Sequence, residues 1–291
     1  MHATIERLLA EGTVLLDGAW GTQMQARGLA PGECPDLWNL TAPDKVREVA
    51  RAYVDAGSRV ILTNTFGASR LALAGHNAAD QAPAINEAGA RLSKEAAGDQ
   101  ALVFGSIGPS GKMVMMGETS VEELEDVFAE QAQALAAGGA AGLVIETMAD
   151  LDEARAALSA AKKTGLPVVA CMVFDSGKDK DRTMMGVTPE QAAQALTEAG
   201  ADVIGSNCGQ GIQGFVNICR RLRAATDRPI WIKANAGLPE MEGGQVVYRT
   251  TPEEFAAVVP DVIASGARFV GGCCGTRPDF IAAVKARLAA A

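Results

Sequence analysis

Along the chain, short runs of β-branched and apolar residues alternate with longer stretches in which apolar positions return every three or four residues. The short runs fall at 13–17, 59–63, 101–105, 142–146, 167–173, 203–207, 229–234 and 268–271 and read as eight strands. Between them lie helical patterns. Over 120–138, Leu124, Val127, Phe128 and Leu135 share one face, and Ser120 with Glu123 has the spacing of a capping box. Thr188-Pro189 with Gln191, and Thr251-Pro252 with Glu254, repeat that helix-start signal.

Eight strand-then-helix units of roughly 36 residues each match the arithmetic of a closed α/β barrel better than an open doubly wound sheet. No linker or change of composition interrupts the alternation, so the expected fold is a single (β/α)8 TIM barrel spanning 1–291. Such barrels carry their chemistry at the C-terminal ends of the strands. At those places the chain reads Asp17-Gly18-Ala19-Trp20-Gly21-Thr22, Thr63-Asn64-Thr65-Phe66-Gly67, Gly105-Ser106-Ile107-Gly108-Pro109, Glu146-Thr147, Asn207-Cys208-Gly209, Ala234-Asn235-Ala236-Gly237 and Gly272-Cys273-Cys274-Gly275-Thr276.

Composition narrows the partners. The chain is 48% hydrophobic and 21% charged, enough to bury a substantial core. Its formal net charge of −9 argues against a general nucleic-acid surface or an anionic-membrane binder and favours small molecules. No apolar run has the length of a membrane span, and the N-terminus shows no secretory signal. With six cysteines in a chain this long, reduced thiols and a cytoplasmic location are expected.

Three of those cysteines, Cys208, Cys273 and Cys274, fall at the ends of the sixth and eighth strands and should meet at one barrel mouth. Three thiolates suit zinc, which takes three protein ligands at a catalytic site and leaves a position open. Adjacent side chains on a strand point to opposite faces, so the backbone must turn at Cys273-Cys274; Gly271, Gly272 and Gly275 are expected to supply the unusual dihedrals. The alternatives are simple packing of small buried residues, or a redox pair. Cys34, Cys171 and Cys219 lack this convergence and read as packing residues. Asp17 is either a turn residue or a ligand contact. Glu146, following Leu143-Val144-Ile145, needs a cation, either a ligand ammonium or a neighbouring Arg or Lys. Lys233 offers Schiff-base chemistry if its pKa is depressed, which would make the protein a metal-free barrel lyase. His2 and His76 fall outside the strand ends, so a histidine acid-base mechanism is not expected. The glycines after the eighth strand could cradle a phosphate, a job that does not call for twin cysteines.

Taken together, Asp17-Gly18-Ala19-Trp20-Gly21-Thr22, Asn64-Thr65-Phe66, Gly105-Ser106-Ile107-Gly108-Pro109, Glu146-Thr147, Asn207-Cys208 and Gly271-Gly272-Cys273-Cys274-Gly275 resemble the zinc-dependent homocysteine S-methyltransferase family over nearly the whole chain. That family includes betaine-homocysteine methyltransferase and the homocysteine-binding module of cobalamin-dependent methionine synthase. The resemblance implies that Cys208, Cys273 and Cys274 bind zinc, that Glu146 holds the homocysteine amino group, and that Asp17 and the backbone at Gly18 contact the substrate. Thr147 and Asn207 adjoin these motifs and are weaker candidates for the substrate shell. It further implies methyl transfer to the zinc-bound thiolate of homocysteine, giving methionine, with no protein acid or base required.

The donor is read as an onium compound such as betaine, with Trp38 as one wall of a cation-π cage. The family's tyrosine after Thr-Phe corresponds here to Gly67, which leaves such a cage incomplete. Other donors that the resemblance allows are S-methylmethionine, S-adenosylmethionine or a methyl-corrinoid on a separate partner protein, since no corrinoid module is expected after Ala291. For that partner, Met113-Val114-Met115-Met116 and Met184-Met185 form either a soft rim or ordinary loop packing.

Overall fold

Each of the eight runs becomes a strand in a computed structural model that describes residues 1–243 and 245–290. The strands are β1 (Val14–Leu15), β2 (Val60–Leu62), β3 (Leu102–Ile107), β4 (Gly142–Met148), β5 (Val168–Met172), β6 (Val203–Gly211), β7 (Ile230–Asn235), β8 (Glu240–Glu242), β9 (Gln245–Val247) and β10 (Ala267–Gly272). Eight of them pair in parallel in the order β1-β10-β7-β6-β5-β4-β3-β2. A parallel bridge between Leu16 and Val60 joins the two ends of that sheet, and helices surround it, giving a single (β/α)8 barrel. The short antiparallel hairpin β8–β9 was not anticipated. Its residues 240–242 are exposed, so no alternation of apolar and polar positions announces it.

The two-residue period of a strand explains where the core divides. Val14, Leu16, Val60, Leu62, Phe104, Val144, Val169, Val203, Trp231 and Phe269 point inward and form one cluster, closed at the N-terminal end by Ile5 and Leu8 of helix Ala3–Ala10. The residues between them, including Leu15, Ile61, Leu143, Ile145, Ile204, Ile232 and Val270, point outward and pack with the helices. Within the barrel the Trp231 ring stacks against Phe104 at 6.2 Å and Phe269 at 5.3 Å between centroids. Two residues further along the same inward parity come Ser106 after Phe104, Glu146 after Val144 and Lys233 after Trp231. A polar layer therefore lies directly above an aromatic floor.

The helix starts at Thr188 and Thr251 are full capping boxes, as expected. Ser120 departs from that expectation. It caps the Glu123 amide, but the Glu123 carboxylate accepts instead from the Thr119 hydroxyl. None of the described helices is long and apolar enough to cross a membrane.

Candidate active site

Above the polar layer, a cleft of about 590 Å³ opens at the C-terminal ends of the strands. Its wall carries Cys208, Cys273 and Cys274, whose sulfurs all lie within 4.8 Å of one another. The Cys208 and Cys274 sulfurs are 3.8 Å apart. A tetrahedral zinc with sulfur at about 2.3 Å requires sulfurs roughly 3.8 Å apart, so this edge already has the spacing of the ion's shell. The donor set, three thiols at the end of a closed barrel, fits a metal centre. Contact among the three sulfurs holds the Cys208 pKa down and raises those of Cys273 and Cys274. Three thiolates this close require a cation among them.

Backbone geometry brings the sulfurs together. Cys208 has φ of +63°, a left-handed conformation that costs a non-glycine residue on the order of 1 kcal/mol or more. It lies where the β6–β7 register breaks between Asn207 and Gly211, which turns the sulfur toward the mouth. On β10 the expected roles of the glycines need correction. Only Gly275 is left-handed, with φ of +79°. Gly271 and Gly272 are required for close approach: a Cβ on Gly271 would lie 2.6 Å from the Leu16 Cβ, and one on Gly272 would lie 2.2 Å from the Thr276 hydroxyl. That hydroxyl donates to the Cys273 carbonyl at 2.7 Å and fixes the turn between the twin cysteines.

The two carboxylates predicted at strand ends meet different surroundings. Asp17 is fully buried beneath the cleft and does not line it. Its oxygens accept from Lys233 Nζ at 2.5 Å, Trp20 Nε1 at 2.8 Å and the Leu62 amide at 2.8 Å. Glu146 lines the cleft, accepting from the Ser106 hydroxyl at 2.5 Å and from Asn207 Nδ2 at 3.3 Å. Burial raises the Glu146 pKa, and the Lys233 charge only partly opposes it. Burial also works against the Lys233 ammonium, but the charges of Asp17 and Glu146 outweigh it and raise its pKa. A lysine held protonated in a buried ion pair is no nucleophile, which removes the basis of the Schiff-base reading.

Asn207 is wholly buried and off the cleft surface. Its side chain accepts from the Thr147 amide at 2.7 Å and donates to the Thr147 hydroxyl at 2.7 Å. It thereby holds Thr147, a cleft residue, at φ of +62°, and it also reaches Cys273 Sγ at 3.8 Å. Gly18 lines the cleft because there is no room for a side chain: its Cβ would stand 2.9 Å from the Tyr53 ring. Trp38 does not reach the cleft. It is buried, its Nε1 donates to Glu33 at 2.7 Å, and Lys45 covers its ring at 4.5 Å. The aromatic rings on the wall are Trp20 and Phe66.

Several residues were missed. Ser106 could have been found from its inward parity two residues after Phe104. His76, set aside for lying outside the strand ends, lines the cleft through the loop after helix Arg70–Ala74, while His2 caps the first helix. Asn235, which the sequence places at the end of the seventh strand without a role, helps to lower the Cys208 pKa, and its Oδ1 has no partner among the described residues. Tyr248, after the unanticipated hairpin, lies against Gly275 and reaches Cys274; burial and then the cysteine charges push its pKa up to about 12. The methionines after β3 and β5 are not packed away: Met115 and Met116 are 69% and 70% exposed.

The chain as a whole is similar to known proteins. The chain is 30% identical over 301 aligned residues to methionine synthase of Mycobacterium tuberculosis, a match that covers 97% of this chain and 25% of that one. Methionine synthase of Mycobacterium leprae matches at 30% over 297 residues with the same coverage, so the chain spans about a quarter of the length of these relatives. The metallated form of the homocysteine methyltransferase MmuM from Escherichia coli superposes with a TM-score of 0.81 at 25% identity, covering 97% of this chain and 99% of that one. Residues 14–288 match the model of the homocysteine S-methyltransferase family, and with the three cysteines converging at the mouth of the barrel the chain belongs to that family of methyltransferases.

Proposed function

We propose that this chain moves a methyl group from a small onium donor, such as betaine or S-methylmethionine, to the sulfur of homocysteine, giving methionine, at a zinc site formed by Cys208, Cys273 and Cys274. The observation that carries this reading is the junction of the three sulfurs with Glu146. One side chain, Asn207, touches both Cys273 and Glu146, so a thiol and an ammonium four bonds apart on one amino acid can reach both poles. Zinc, when bound, supplies the positive charge that keeps the homocysteine thiol ionised near neutral pH.

The rest is the work of the chain. Glu146 pairs with the substrate ammonium, which restores the charge that burial disfavours. Ser106 and Asn207 aim its carboxylate, and Asn207 couples that aim to the cysteine turn. Lys233 stays protonated and fixes Asp17, which in turn holds Trp20 and the end of β2. The sulfur lone pair forms the new S–CH₃ bond as the donor's C–N or C–S bond breaks; that pair returns to the onium atom, which leaves neutral. The thiol proton has already gone to solvent, so no protein base is needed.

A second reading has its own observation. Met113, Met115 and Met116 after β3, Met184 and Met185 after β5, and Met241 on the β8 strand of the hairpin after β7 are exposed around the mouth. Such a rim suits a protein-borne donor, for example a methyl-corrinoid on a separate chain. Turnover with small onium compounds alone separates the two readings.

The decisive test is X-ray absorption at the zinc edge of protein purified under reducing conditions, with and without homocysteine. A change from three sulfurs to four is expected. A protein that takes up no zinc on reconstitution, or an edge that homocysteine leaves unchanged, overturns the proposal.

A further inference from the structure

The cleft is far larger than homocysteine, a molecule of eight heavy atoms, and its outer wall is built around a carboxylate that the reading above does not use. Asp36 is 4% exposed and lines the cleft beside Phe66 and His76. Its Oδ1 accepts from the Gly67 amide at 3.0 Å. A Cβ on Gly67 would lie 3.0 Å from Asp36 Oδ2, so the absence of a side chain at 67 leaves the space beside that oxygen open. The carboxylate is firmly set. Asn64 Nδ2 donates to the Pro35 carbonyl at 2.7 Å and to Asn39 Oδ1 at 3.1 Å, and Asn39 returns a bond to the Asn64 carbonyl at 2.7 Å. This network fastens the Pro35–Leu37 turn to the end of β2.

Asp36 differs from Asp17 in what faces it. Asp17 has an ammonium at 2.5 Å. Asp36 has the Gly67 amide and the weak Cys34 thiol donor at 3.6 Å, with the His76 side chain on the same cleft wall. Burial accordingly pushes its pKa up to about 6. A rigid, buried carboxylate with too few donors, in a cavity wall with room beside it, is a place for a cation.

We infer that Asp36 is the counter-charge for the methyl donor: the onium group lies against its carboxylate in the space that Gly67 leaves open, with Phe66 and Trp20 as apolar walls. A carboxylate here does the work of an aromatic cage, and it selects for positive charge rather than for a trimethylammonium shape. Quaternary ammonium and tertiary sulfonium donors are both admitted, and their neutral products leave because the attraction ends with the transfer. This assignment rests on the onium reading of the reaction.

The test uses isosteric pairs that differ only in charge: betaine against 3,3-dimethylbutanoate, and S-methylmethionine against homoleucine. Binding is measured by calorimetry on the zinc-loaded protein with homocysteine present. In at least one pair the wild type is expected to favour the cation by roughly 10-fold or more. Asp36→Asn, which keeps an oxygen for the Gly67 amide, should bring that ratio close to one with zinc content and homocysteine affinity unchanged. Gly67→Ala should weaken onium binding by crowding Oδ2, and serves if Asp36→Asn fails to fold. A wild type that ignores charge in both pairs, or an Asp36→Asn protein that keeps the preference, overturns the inference. A zinc edge that homocysteine leaves unchanged overturns the underlying reading instead, so the two failures are distinct.

Discussion

Asp17 and Glu146 are buried carboxylates in one polar layer, yet the protein treats them in opposite ways. Asp17 is enclosed by an ammonium, an indole N–H and a backbone amide, and no part of it faces the cleft. Glu146 has one hydroxyl and one amide side chain, faces the cleft, and has its pKa raised by burial. The difference teaches how to sort buried charge. A carboxylate whose acceptor capacity is used up by the chain holds the structure, and one left short of donors waits for a ligand.

The comparison breaks most visibly if the thiol pole of the ligand site is removed. Cys273→Ala deletes one of three sulfurs, and metal analysis together with a methyl-transfer assay should show bound zinc and turnover lost together, because binding to a site of this kind is strongly tied to its full set of thiolates. Retention of both would detach the cysteines from the chemistry and leave Glu146 without its proposed partner.

Next in size is the enclosed carboxylate. Lys233→Met strands Asp17 without its cation, and breaking a buried pair in this way costs about 3–5 kcal/mol, to be read from urea melts. Adding Asp17→Asn should recover part of that loss, since no bare charge is left behind. If Lys233→Met melts like the wild type, Asp17 is not held in the manner described.

Glu146→Gln should act in the other direction on stability and strongly on binding. The Glu146 pKa is raised in the folded chain, so its ionisation works against folding as pH rises above its ordinary value of 4.5. The Gln variant, free of ligand, is therefore expected to melt higher than the wild type at pH 7, and the gap should close as the pH is lowered toward 4.5. Loss of a charge-assisted bond to the substrate ammonium should raise the homocysteine KM by about 10- to 100-fold. A lower melting point with an unchanged KM would place Glu146 with Asp17.

How much of this was legible in the sequence follows from which forces are local. The barrel was, because the strand runs repeat in every unit and helix-start signals recur at Ser120, Thr188 and Thr251. The three cysteines were, because strand ends point to one mouth whatever the details of packing. The partner of Asp17 was not: Lys233 lies 216 positions away, and only closure of the ring brings the two together. Lys233 therefore looked like a free amine. The register breaks that turn Cys208 and Thr147 into left-handed conformations are set by neighbouring strands and leave no trace in the local residue pattern. Asp36 lies on the Pro35–Leu37 turn, away from the strand ends, and only the packing of that turn against the end of β2 brings it to the cleft.

That tryptophan supplies the smallest and cleanest prediction. Trp38 resembles Asp17 in being closed: its indole N–H is given to Glu33, Lys45 lies over its face, and none of it lines the cleft. Trp38→Phe keeps most of the buried ring but loses that hydrogen bond and weakens the cation-π contact, together worth about 1–2 kcal/mol of stability. Neither the homocysteine KM nor the donor KM should move by more than about twofold, a change well under 1.4 kcal/mol. Steady-state kinetics with each substrate varied in turn decides the matter. A large rise in the donor KM alone would mean that the wall around Asp36 opens on binding and brings Trp38 to the donor, and the division between closed and open side chains would then describe only the free protein.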